Sequence, residues 1–192
     1  DVRFIETPGY AINLAKDMTD RMAELSREVV TKSIGLLYEF DADTAKELKA
    51  IEDRIDNYED QIGSYLLKVS SKDITEKDSK LLTLILHSLN DYERIADHGI
   101  NIMESAKEMY EKDIEFSDNA DQDLEVLIRA VNDILDRTFD ALVNLDIEKA
   151  KTVEPLEEVI NYLNGKVKDR HIARLQEGVC TPELGFVLSD IT

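Results

Sequence analysis

The sequence predicts an all-α fold, an antiparallel helical bundle built from two three-helix repeats, and three observations carry that prediction. Hydrophobic residues fill 43% of the 192 positions but aromatics only 6%, with no Trp, seven Gly and three Pro, a balance that favours helix over sheet. Apolar residues recur every three to four positions, the period of one buried helical face. The breaks between these runs carry N-cap and first-turn chemistry.

Thr7 followed by Pro8 suits an N-cap and a first helical position. The first helix then runs to about Phe40, with Ile12, Met18, Met22, Leu25, Val29 and Leu36 inward. A second begins at Asp43 or Thr44 and carries Leu48, Ile51, Ile55, Tyr58, Ile62, Tyr65 and Val69 on one stripe. Thr75 to Asp78 opens a third, which continues through Leu82, Ile85, Leu89, Ala96 and Met103 to about Tyr110.

After a polar break at Glu115 to Ala120, a fourth helix spans about Asp121 to Leu145 and a fifth about Glu148 to Gln176. Pro155 should kink the fifth or delay its regular start. A sixth opens at Thr181-Pro182-Glu183. Shifting the chain by 105 residues superimposes Leu37 on Leu142, Asp41 on Asp146, Ala45 on Ala150, Lys46 on Lys151, Glu52 on Glu157 and Ile55 on Ile160. Residues 1–192 are therefore expected to form one domain, with repeat one at about 8–114 and repeat two, incomplete, at about 117–192. The counterparts of Glu93 and Asp97 would fall beyond Thr192, so the last helix is expected to be truncated.

With 42 acidic and 23 basic residues the formal charge is −19, which repels phosphate backbones and anionic lipid, so nucleic acid is not an expected partner. The single Cys180 has no internal disulfide partner and reads as a small buried side chain. No stretch approaches the ~18 consecutive apolar residues that span a bilayer. Asp1 to Ile12 lacks the basic start and apolar centre of a signal peptide and reads as the interior of something longer.

The chemistry concentrates in two acid pairs at helical spacing, Glu52 with Asp56 and Glu93 with Asp97. If the second and third helices form a hairpin turning at Lys72 to Thr75, the two pairs lie at the same height and four carboxylates stand side by side. On a wheel of about 100° per residue, Asn90, Glu93, Asp97, Asn101 and Glu104 share one narrow stripe, and Glu52, Asp56 and Glu59 another. Carboxylate and amide oxygens without thiolates suit a hard cation: magnesium, manganese, calcium or ferric iron, with zinc less natural. The bland alternative is a set of solvated acid faces, which an acid-rich helical chain produces often by accident.

Other polar residues read as ordinary. His98 lies about 100° around the helix from Asp97 and reads as a surface residue. His87 and His171 stand apart from the acids as plain helix residues, and Arg94 reads as solvated. No Glu-x-x-His, His-Glu-x-x-His, Gly-rich phosphate loop or Gly-x-Ser-x-Gly occurs, so no catalytic residue is assigned.

Asn90-Asp91-Tyr92-Glu93-Arg94-Ile95-Ala96-Asp97-His98-Gly99-Ile100-Asn101-Ile102 closely resembles the signature of PhoU and PhoU-like domains, and Glu52 to Asp56 matches its companion motif. Asp1 to Ala11 and the segment Arg170-His171-Ile172-x-Arg174-Leu175-x-x-Gly178-x-Cys180 resemble the version at the C-terminus of bacterial sodium-phosphate cotransporters. The resemblance implies a non-enzymatic regulatory domain on the cytoplasmic side of the membrane. It would follow a transmembrane phosphate transporter domain in the same polypeptide and control phosphate uptake, and family habit adds a homodimer. It also implies a multinuclear iron or zinc cluster on Glu52, Asp56, Glu93 and Asp97, with Asn90 and Asn101 as neighbours, where the donor chemistry would equally take magnesium or manganese. A second cluster departs from the pattern, since Glu157 is kept but Asn161 replaces the Asp. The rival readings are a free-standing PhoU-type adaptor and a metal-dependent phosphohydrolase.

Overall fold

The computed structural model describes residues 2–180 together with Leu184, Gly185 and Leu188, and among them there is no strand. A 3₁₀ turn, Val2–Glu6, leads into α1 (Pro8–Leu36), α2 (Ala42–Ser70), α3 (Glu76–Lys112), α4 (Asp118–Asn144), the short α5 (Ile147–Ala150) and α6 (Val153–Gln176). The all-α expectation holds. Thr181 to Glu183, where the truncated sixth helix was expected to open, lie outside the described residues.

Local chemistry explains where the boundaries depart from expectation. The first helix stops at Leu36 rather than Phe40, because Leu37 and Tyr38 donate to Ile34 and Gly35 and tighten its last turn. Thr7 precedes Pro8 as anticipated, yet its hydroxyl donates backwards to the Phe4 carbonyl. Asp41, in extended backbone, caps α2 by accepting the Thr44 N–H. Thr75 accepts the Asp78 N–H and donates its hydroxyl to the Asp78 carboxylate, fixing the start of α3. Ser117 caps α4, which begins at Asp118, three residues before the expected start.

The expected fifth helix is two pieces. A continuous helix would press the Pro155 ring against the Lys151 carbonyl, four residues back. The chain instead breaks after α5 and restarts at Val153, which leaves Pro155 in the first turn of α6, where an N–H has no intrahelical partner anyway. The helix bounds of the two halves lie 105 or 106 residues apart: α2 begins at Ala42 and α5 at Ile147, while α2 ends at Ser70 and α6 at Gln176.

Two compact units partition the chain, residues 1–33 with 41–100, and residues 34–40 with 101–192. In the first, the α2 stripe buries Leu48, Ile51, Ile55, Ile62 and Val69 as expected, with Tyr58 and Tyr65 half-buried and Leu66 buried in addition. The α3 residues Leu82, Ile85, Leu89 and Ala96 are buried, each large side chain worth about 1.5–3 kcal/mol. From α1, Ile12, Met22 and Val29 are buried, but Met18 and Leu25 only partly. Small residues unforeseen from periodicity take their place: Ala11, Ala15, Thr19 and Ser26. Thr19 and Ser26 satisfy their hydroxyls on the Ala15 and Met22 carbonyls, so burial leaves no donor unpaired. Gly99 completes the approach of α3 to α1, since a Cβ there would lie 2.8 Å from Val29 Cγ1 and 3.1 Å from the Val30 nitrogen.

The second unit buries Leu127, Val167, Leu184 and Leu188 as one cluster, flanked by Ile114, Phe116, Val131, Ile160, Leu163 and Cys180. Leu145 ends α4 in the left-handed region at φ 54°, a conformation costly for a side chain, and Gly178 does the same after α6 at φ 71°.

Candidate functional site

The acid pairs are held by the two capped helices of the first unit. On α2 the buried Leu48, Ile51 and Ile55 fix the helix rotation, which puts Glu52 half-buried at the edge of the core and Asp56 outward beside it. On α3 the buried Leu89, Tyr92 and Ala96 do the same for half-buried Glu93 and exposed Asp97.

Electrostatics across the helices give the register. Glu52 is raised above the ordinary carboxyl range by burial, and then by Asp56, Asp97, Asp53 and Glu93. Asp56 is raised by burial, then Asp97, Asp53 and Asp60. Glu93 is raised by burial, then Asp97, Glu59 and Asp56, with Arg94 acting the other way. The couplings Glu52 to Asp97 and Asp56 to Glu93 are both centred between Ile74 and Thr75, as an antiparallel α2–α3 hairpin requires. The structure thus brings all four acids within electrostatic reach of one another. Asp53 and Asp60, which periodicity did not single out, extend the negative field.

Reach is not coordination. Among the described residues no three His, Cys, Asp or Glu side chains converge closely enough to hold a metal ion. The donor chemistry nonetheless suits a hard cation, whose charge would relieve a repulsion that protonation otherwise relieves. Asn90 is exposed, and Asn101, also exposed, falls in the second unit. His98 and Arg94 are on the surface, as read from the sequence, and His87 on α3 is exposed as well. Glu157 and Asn161, the remnants of a second motif, are exposed on α6.

His171 and Cys180 correct the sequence reading. His171, read as a plain helix residue, is buried in α6 with its Nδ1 3.3 Å from Cys180 Sγ, and burial followed by the Arg174 charge holds its pKa down. Cys180 is only half-buried. Arg174 is buried too and pairs with Asp123 at 2.8 Å, while Arg170 reaches the other oxygen of the same carboxylate. The signal was in the spacing: Val167, His171 and Arg174 recur at i, i+4 and i+7, the inward face of α6. Periodicity counted over apolar residues alone passes over such a face.

No helix among the described residues is long and apolar enough to cross a membrane. No solved structure matches the chain. Over 178 residues the chain is 25% identical to the phosphate-specific transport system accessory protein PhoU homolog 1 of Thermotoga maritima, spanning 92% of this chain and 75% of that protein. Residues 19–106 match the family model of the PhoU domain, and that stretch contains both acid pairs, Asn90 and Asn101.

Proposed function

We propose that this chain is a regulatory domain of phosphate uptake, acting by contact with a phosphate transporter on the cytoplasmic side of the membrane and not by catalysis. The observation that carries this is the match of residues 19–106 to the PhoU domain over the segment where four acids from α2 and α3 lie within electrostatic reach of one another. The resemblance of Asp1 to Ala11 and of Arg170 to Cys180 to sodium-phosphate cotransporters favours a domain fused behind a transmembrane transporter. The Thermotoga maritima relative, whose name makes it an accessory protein, favours a separate adaptor instead.

Glu52, Asp56, Glu93 and Asp97 would hold the cation. Once bound, it would tie α2 to α3 and give phosphate a positive centre to bridge, which the bare carboxylates cannot offer. Holding it requires the four carboxylates to draw closer together than they stand in the structure.

Radiolabelled phosphate uptake by cells with and without the native gene tests the function. A changed uptake rate, restored by the intact gene, is expected; identical rates at low and high external phosphate would remove the regulatory reading. Elemental analysis of chelated and reloaded protein tests the metal. Metal content unchanged by Glu93→Ala with Asp97→Ala would take those residues out of the site. In the uncut gene product, a long apolar run upstream of Asp1 separates fusion from adaptor.

A further inference from the structure

The second unit contains a cleft of about 380 Å³ at the turn where residues 36–40 meet the end of α3 and the start of α4. That volume sits at the small end of ligand pockets, roughly 300–1,000 Å³, and suits a single anchoring side chain. Its aromatic wall is unusual for a chain so poor in aromatics. Tyr38, Phe40, Tyr110 and Phe116 all line it, and Phe40 and Tyr110 stack with centroids 5.0 Å apart. Tyr38 and Tyr110 are 53% and 67% exposed, so the rings are presented and not spent on the core.

The polar lining is of one sign. Asp113, Glu115, Asp118 and Asp121 border the cleft, and among the described residues no Lys or Arg does. Burial of its hydroxyl end, then the Asp121 carboxylate, pushes the Tyr38 hydroxyl up to about 12, so the phenol stays neutral beside the acids. Flat aromatic faces with flanking carboxylates are complementary to a planar cation, which stacks on the ring and donates in a fork to the acids. A compact ammonium uses the same charges but gains less from the stacked pair.

We propose that this cleft is a docking site for an arginine side chain carried by a basic segment of a partner protein. The chemistry of the cleft is independent of phosphate regulation, so peptide binding by purified protein and uptake in cells fail separately.

Calorimetry on the whole chain at low salt decides it, using a blocked arginine-containing hexapeptide, its lysine and glutamate counterparts, and spermidine. The arginine peptide is expected to bind at least about threefold tighter than the lysine peptide, and the glutamate peptide not at all. Asp113→Asn with Asp118→Asn, and separately Tyr110→Ala, should each weaken it about tenfold. Glu157→Gln with Glu158→Gln, on the exposed face of α6, should change it less than about twofold. Circular dichroism checks that each variant keeps its helices; Tyr110 and Asp113 are exposed, and Asn tolerates the left-handed φ of 54° at position 113. No binding of the arginine peptide, equal binding of the lysine peptide, or an equal loss on the α6 control pair overturns the proposal. So does spermidine binding as tightly with the same sensitivity to the variants, which would make the ligand a small polyamine.

Discussion

Asp41 and Asp146, 105 positions apart, hold the same place in the two halves of the chain. Each stands in extended backbone, and its carboxylate accepts the backbone N–H three residues on, from Thr44 at 2.7 Å and Lys149 at 3.0 Å. The Thr44 hydroxyl adds a second donor to Asp41 at 2.5 Å, which α5 has no counterpart for at Lys149.

Asp41→Ala should therefore lower the melting temperature by more than Asp146→Ala, about a few degrees against less. The Thr44 hydroxyl, followed by its backbone N–H, holds the Asp41 carboxyl below its ordinary 3.8. A lowered folded pKa means stability that is present above the unfolded value and lost as pH falls through the folded one. The gap between parent and Asp41→Ala should close below about pH 4 in thermal melts recorded by circular dichroism.

Repulsion at the acid seam runs in the opposite direction. Glu93 is raised above 4.5, so the folded state is penalised at neutral pH and relieved as the group protonates. Glu93→Gln should stabilise the metal-free protein at pH 7 by about 0.5 kcal/mol after allowance for solvent screening. That advantage shrinks as pH falls through the raised value and is gone below about 4.5. Urea denaturation in the presence of chelator measures it, and a destabilised variant at pH 7 contradicts the arrangement.

Two helical glycines should answer Ala substitution with opposite signs. Nothing lies within 4 Å of a Cβ at Gly63, so Gly63→Ala gains the helix preference of about 0.5–1 kcal/mol. At Gly99 the same methyl meets the Val30 backbone at 3.1 and 3.2 Å, and a cost of about 1–3 kcal/mol outweighs the preference. Chemical denaturation of the pair gives both signs in one experiment.

Asp123→Ala should be the costliest single change, about 3–5 kcal/mol, because it leaves Arg174 buried without its charge partner. The Asp123 and Arg174 side chains are only 9% and 10% exposed. Asp133→Ala breaks a pair of equal length, 2.8 Å to Arg137, but in solvent, and should barely move the denaturation midpoint. Similar losses from the two variants would show that burial is not what matters at Asp123.

Much of this was determined by the sequence alone. Apolar spacing and cap residues specify helices one at a time, so α2 and α3 lie within a few residues of expectation and Pro155 marks the restart of α6. The paired acids are legible for the same reason: four residues along a helix is a local distance, and a hairpin of known turn fixes the height of its arms. Tertiary structure decided what depends on neighbours distant in the chain. Whether Thr19 and Ser26 are buried, whether His171 and Arg174 face inward, and whether Gly99 is free or crowded follow from which helix lies opposite. Polar residues are silent in a hydrophobic period, and an aromatic–acid cleft drawn from residues 36 to 121 exists only once the chain has folded back on itself.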